Sequence, residues 1–295
     1  MTALLTRVKS RLFIHSRLTS THALDGGYAS LQRGRSLDFE DLRAYEHGDD
    51  VRDIDWRATA RHGDLLVKRS RATRMHTVLF AVDTGRAMAA LAPDGQPKIV
   101  TAITAVGALG MLSTRHGDDV SVVYGDRAGI VRTPPRRSDG GLEHALRALQ
   151  RAASPQAAAS DRAGLLGAIT RTVSRRMILV VVTDEAPISP DDERLLRRLQ
   201  VQHDVLWLTV RDADPVAPSG DPRGRRDADS GWAVPAFLHG DPAVLAELAR
   251  ERAEGDRARA HLLERLEIDH AELAGESEAV APLLSLLARR SHGRS

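Results

Sequence analysis

The sequence predicts an α/β fold in which a mostly parallel sheet is covered by helices on both faces. Two short apolar runs carry much of that prediction: Val78-Leu79-Phe80-Ala81-Val82 and Met177-Ile178-Leu179-Val180-Val181-Val182 are unbroken, as strands buried on both faces require. Helical and strand patterns alternate along the chain, which is the pattern of parallel sheets with crossover helices. Hydrophobic residues make up 42% and charged residues 28% of 295, enough for a sizeable core and unlike a disordered chain.

Taken in order, the first strand begins at Thr77 and closes at Asp83. A helix over 98–112 follows, with Ile99, Ile103, Val106 and Leu109 on one stripe. Val120–Tyr124 reads as the next strand and pairs as a hairpin with Ile130–Val131, turning through residues 125–129. Helices are expected at 141–151 and 164–173. The second buried strand ends in Thr183-Asp184, and a helix at 192–200 leads to the strand Val205–Val210. Asp241-Pro242 supplies a cap and a first-turn proline for a long helix towards Glu267, with a break expected at Gly255. A last amphipathic helix covers 279–290. Residues 1–73 do not fit the alternation and are expected to form a separate N-terminal segment ahead of a domain at 74–295.

Composition excludes several function classes. The 42 Lys+Arg and 40 Asp+Glu leave a net charge of +2, and their interleaving gives no basic stripe for nucleic acid. There is no cysteine, hence no disulfide, thiolate nucleophile, zinc finger or iron–sulfur cluster. The longest apolar run, Met177–Val182, is six residues, far from the roughly 18 of a membrane span. Residues 1–20 are basic without the roughly 7–15-residue apolar core of a secretory signal, so a soluble, cytoplasmic protein is expected. The Gly-x-x-x-x-Gly-Lys, Gly-x-Gly-x-x-Gly, Gly-x-Ser-x-Gly and His-Glu-x-x-His motifs are absent. Asp83-Thr84-Gly85 matches the aspartic-protease triplet, but it stands in α/β rather than all-β surroundings. A phosphatase with a strand-end nucleophile would want a second Asp where Gly85 stands. The arginines and acids of the long C-terminal helix fall at i,i+3 and i,i+4 spacing and read as a solvated face.

Asp83 and Asp184 are the first candidates for a site. The carboxyl ends of strands in an open parallel sheet lie along one edge, where ligands bind, so both acids are expected on one rim. Each could instead cap the turn that follows it.

The string Phe80-Ala81-Val82-Asp83-Thr84-Gly85-Arg86-Ala87-Met88 resembles the first metal-site loop of von Willebrand factor A domains. The stretch Phe39–Arg61, with Gly48, Trp56 and its interspersed acids and arginines, is similar to the signature of the domain of unknown function 58 family. Members of that family are von Willebrand A-like proteins often encoded beside MoxR-type AAA+ ATPases. The resemblance implies a von Willebrand A-like sheet and a non-enzymatic adaptor that works with such an ATPase on client proteins. It implies a metal site only in reduced form. Gly85 and Ala87 stand at the two serine positions, and Ala163 aligns with the threonine, so an octahedral oxygen shell for Mg²⁺ is short of ligands. No cofactor is therefore expected, with Asp83 and Asp184 the pair that would hold Mg²⁺ if the protein were a metal-dependent ligand binder. A hydrolase using the same acids is the remote alternative.

Between Ser36 and Asp55 stand eight acids with Arg43 and Arg52. Such a mixture can fix an irregular loop through bidentate Arg–carboxylate pairs or face a partner. Arg43, Asp49, Asp55, Trp56 and Arg61 are expected to form that partner surface or its scaffold, with Trp56 as an apolar anchor. Together with Asp83 and Asp184 they make up the candidate partner-binding set. No direct membrane insertion is expected.

Overall fold

The computed structural model describes residues 3–16, 42–46, 54, 56–68, 76–216 and 225–293. The chain divides into two compact units, residues 32–75 and the remainder.

In the larger unit helix α1 (Leu4–Ser16) precedes a six-stranded sheet. Its strands are β3 (Thr77–Asp83), β4 (Asp119–Asp126), β5 (Gly129–Arg132), β6 (Ile178–Asp184), β7 (Asp204–Val210) and β8 (Asp269–Leu273), while β1 (Leu42–Ala44) and β2 (Leu66–Lys68) lie in the smaller unit. The order across the sheet is β5-β4-β3-β6-β7-β8, with β5 antiparallel at one edge and every other pairing parallel. Strand order reverses beside β3, so the β3/β6 boundary is a switch point of Rossmann type. This is the expected α/β arrangement, a mostly parallel sheet with flanking helices.

The alternation of β3 explains the layers. Val78, Phe80 and Val82 join one core with α3 (Lys98–Arg115), α4 (Asp139–Ala152), α8 (Val280–Gly293) and α1. Leu79 and Ala81 join the other with α5 (Arg162–Thr172), α6 (Pro190–Gln202) and the C-terminal end of α7 (Pro242–Arg265). All seven residues of β3 and of β6 are buried, which is why both read as unbroken apolar runs. Side-chain oxygens cap the starts of α4, α5 and α7: Ser138, Asp161 and Asp241 each accept from the first turn. Ser189 and Asp192 form a full capping box ahead of α6.

Three features depart from the sequence reading. Residues 4–16 form a helix whose Leu5 and Val8 are buried in the main core, so this stretch packs against the helices of the larger unit rather than with the N-terminal segment. Its first amides donate to the Glu143 carboxylate at 3.1 and 2.8 Å. Strand β8 leaves little pattern in the sequence, because in Asp269-His270-Ala271-Glu272-Leu273 only Ala271 and Leu273 are buried, as befits an edge strand. Helix α7 runs unbroken through Gly255, which lies on an exposed face where helical glycine costs only about 1 kcal/mol.

In the smaller unit β1 (Leu42–Ala44) pairs antiparallel with β2 (Leu66–Lys68), and α2 (Trp56–His62) lies between them in sequence. Gly63, at φ 82°, ends α2 in the left-handed region, and its amide donates to Thr59 O. Among the described residues no helix is long and apolar enough to cross a membrane.

Candidate functional site

Asp83 and Asp184 end neighbouring parallel strands, so the sheet does bring them to one rim. Neither is presented to solvent: Asp83 is 1% and Asp184 8% exposed. Each also closes the turn that follows. Asp83 Oδ1 accepts from Gly85 N at 2.8 Å, and Asp184 Oδ1 from Ala186 N at 3.2 Å. Burial raises the Asp83 carboxyl to about 6. The Gly85 amide, Ser160 and the charge of Arg162 pull the other way, while the nearby charge of Asp184 adds to the rise.

Two residues that the sequence reading did not single out complete the rim. Lys98, the first residue of α3, is 1% exposed. Its Nζ lies 2.5 Å from Asp212 Oδ1 and 3.8 Å from Asp184 Oδ2. Asp212 stands two residues beyond β7, so three adjacent strands each bring an acid to this edge. Burial raises the Asp212 carboxyl and the Lys98 charge opposes it. A signal was available: Lys98 is one of three lysines in a chain with 39 arginines.

The place of the first metal-site serine is structurally closed. A Cβ at Gly85 would sit 2.5 Å from both N and Cα of Ser160. That loop is held in place, since Arg86 N donates to Ala158 O, Arg127 N to Ala159 O, and Ala158 N to Asp126 Oδ2, all at 3.0 Å. Gly85→Ser is therefore expected to cost about 1–3 kcal/mol in urea unfolding, as overpacking does. Equal stability of the two proteins would mean that the Ser160 loop yields freely. With this position closed and an ammonium against Asp184, the residues present do not match the octahedral oxygen shell of a von Willebrand A metal site.

The accessible part of the rim lies to either side. A turn leans over it near β3: Arg86 Nε is 3.8 Å from Asp229 Oδ1, and the charge of Lys98 reaches Asp227. This turn carries Trp232, 57% exposed, whose carbonyl accepts from Asp227 N. At the β7 end the rim opens into a groove of about 730 Å³ lined by Glu185, Arg211, Leu248, Arg252, Asp256 and Arg259. Its walls are set by ion pairs. Arg211 Nη1 is 2.5 Å from Asp256 Oδ2 and 3.3 Å from Glu272 Oε2, while Arg259 Nη2 reaches Asp256 Oδ1 at 2.5 Å and Glu272 Oε1 at 2.9 Å. Arg252 Nε is 3.2 Å from Glu185 Oε1.

The signature residues fall in the smaller unit. Arg43 lies in β1, and Arg61 is exposed on α2. Trp56 opens α2 and is 63% exposed, which places its indole at the surface. Asp49 and Asp55 lie outside the described residues.

The profile of the family described as "Protein of unknown function DUF58" matches residues 41–234, more than half of the chain. The chain belongs to the DUF58 family. Among its relatives are uncharacterized proteins of Mycobacterium tuberculosis (Rv1480) and Mycobacterium bovis (Mb1516), each 30% identical over 238 residues, covering 78% of this chain and 72% of the relative. Solved structures similar to this DUF58 chain include BatB from Bacteroides thetaiotaomicron, with a TM-score of 0.45 and 15% identity over 73% of this chain and 98% of that one. A von Willebrand factor type A protein from Catenulispora acidiphila gives a TM-score of 0.41 and 11% identity over 74% of this chain and 43% of that one.

Proposed function

We propose that this DUF58 chain is a non-enzymatic protein-interaction module whose docking face is the carboxyl rim of the sheet, and that its partner is a MoxR-type AAA+ ATPase acting on client proteins. The observation that carries the first half is the division of the rim. Its strand-end acids are buried and held by their own turns and by Lys98, while the exposed parts are an indole and a charged groove. A hydrolase built on Asp83 and Asp184 would have to present those oxygens to a substrate, and a carboxylate 1% exposed does not. Exposed aromatic and arginine side chains are the residue types that dominate binding energy at protein interfaces. The resemblance of Phe39–Arg61 to the family signature supplies the ATPase.

The test uses purified full-length chain and the MoxR-type ATPase of the same genome, with binding followed by interferometry. Trp232→Ala and Arg252→Glu are each expected to weaken binding about tenfold or more while leaving the melting temperature within error. Binding unchanged in both variants would move the docking face off this rim. No binding by the wild-type chain would remove the ATPase from the proposal.

A further inference from the structure

We infer that Lys98 is the built-in cation of the carboxyl rim, so that this rim takes no divalent metal and docks its partner without one. The inference rests on the docking reading for the role of the rim, but its chemistry concerns the isolated chain.

Lys98 is poorly placed for any purpose of its own helix. It is the first residue of α3, directly after Pro97, where the amide dipoles favour an anion and oppose a cation. Its side chain is 1% exposed, so the ammonium has given up bulk water as well. Two carboxylates compensate it, Asp212 at 2.5 Å and Asp184 at 3.8 Å. These acids come from adjacent strands and are drawn together at the sheet edge by the parallel register of β6 and β7. A compact ammonium on a flexible stem suits this position, whereas the broad fork of arginine would need more room.

A metal at the same edge would use Asp83 and Asp184. It would have to sit about 2.1 Å from an Asp184 oxygen, with the ammonium only a few ångströms away. Charges at that separation in a site this buried are weakly screened, so the lysine and a divalent ion exclude one another. The Gly85 position adds a steric bar, because a serine hydroxyl there has no room beside the Ser160 backbone. The two observations are independent, one electrostatic and one steric. Here the place of a cation beside Asp184 is held by a side chain that is already paired.

The experiment titrates MgCl2 and MnCl2 into the wild-type chain and into Lys98→Met, by calorimetry and by thermal melting against a chelator control. The wild-type chain is expected to show no heat of binding and no melting shift at millimolar metal. Lys98→Met, which keeps the side-chain volume but leaves Asp184 and Asp212 without their cation, is expected to melt lower and to bind Mn²⁺ at least about tenfold more tightly than wild type. A wild-type chain whose melting temperature rises with Mg²⁺, with the rise lost in Asp83→Ala, overturns the inference. So does a Lys98→Met protein that melts like wild type and binds metal no better. Should Lys98→Met fail to fold, the wild-type titration still decides. None of these readouts involves a partner, so a metal-binding rim would overturn this inference and leave the docking proposal standing, while a failure to bind the ATPase would do the reverse.

Discussion

Arg290→Met is expected to destabilise the protein by about 3–5 kcal/mol, the range seen when one partner of a buried ion pair is removed. The Arg290 side chain is 0% exposed, with Nη2 2.6 Å from Asp204 Oδ2 and Nη1 3.3 Å from Asp269 Oδ2. Asp204 opens β7 and Asp269 opens β8, so one guanidinium on α8 ties together the amino ends of two neighbouring parallel strands. Methionine keeps much of the packing volume and removes only the charge and the donors. Two carboxylates are then left facing each other at the sheet edge, Asp204 with a side chain only 13% exposed. Arg290→Lys retains the charge but not the planar fork, and should lie between the two. Adding Asp204→Asn to Arg290→Met should recover part of the loss, because one of the two facing carboxylates is then neutral. Urea unfolding of the four proteins measures this. A loss below about 1 kcal/mol for Arg290→Met would class the clamp with ordinary surface pairs.

Arg290 also marks the limit of what the chain states about itself. The layers of the fold follow from residues that can be read directly: Val78–Val82 and Met177–Val182 are apolar because both faces are covered, and Ser189-Pro190 and Asp241-Pro242 announce helix starts. Periodicity reports whether a face is buried, so it found the central strands and the helices over them. It failed at β8, whose half-exposed sequence carries little apolar signal, and at α1, where the burial of Leu5 and Val8 depends on a distant surface. The position of Arg290 on a late amphipathic helix likewise gave no hint that it would meet Asp204 from 86 residues away.

The rim was half legible for a similar reason. That Asp83 and Asp184 share an edge follows from parallel topology, because strand ends align whatever the intervening residues. That Lys98 lies against Asp184 does not follow, since it depends on how the turn after Arg86–Ala89 returns to start α3. Trp56 reads equally as a scaffold anchor or a surface contact, because an indole in a charged stretch suits both and composition does not distinguish them. Its exposure on α2 leaves the smaller unit with an aromatic surface residue beside Arg57, in the family-matched part of the chain.

Asp83→Asn should separate the rim's electrostatics from its shape through pH. In the folded chain burial raises this carboxyl to about 6, against 3.8 ordinarily. The folded state therefore holds its proton more tightly than the unfolded state does. Below pH 4 both states are protonated and the group costs nothing. Between about pH 4 and 6 the unfolded chain releases the proton first, so stability falls as pH rises, and above about 6 the cost is complete at roughly 3 kcal/mol. Asparagine cannot ionise and keeps an Oδ1 acceptor for the Gly85 amide, so the turn that Asp83 closes is retained. The variant should match wild type near pH 4 and exceed it by about 3 kcal/mol at pH 7. The comparison between the two proteins cancels the titration of every carboxylate that does not interact with Asp83, which leaves a difference curve set by Asp83 and its neighbour Asp184. A difference independent of pH would mean that Asp83 ionises as easily folded as unfolded. A metal bound to Asp83 reverses the sign, since a cation favours the carboxylate and asparagine would then be the less stable protein at neutral pH.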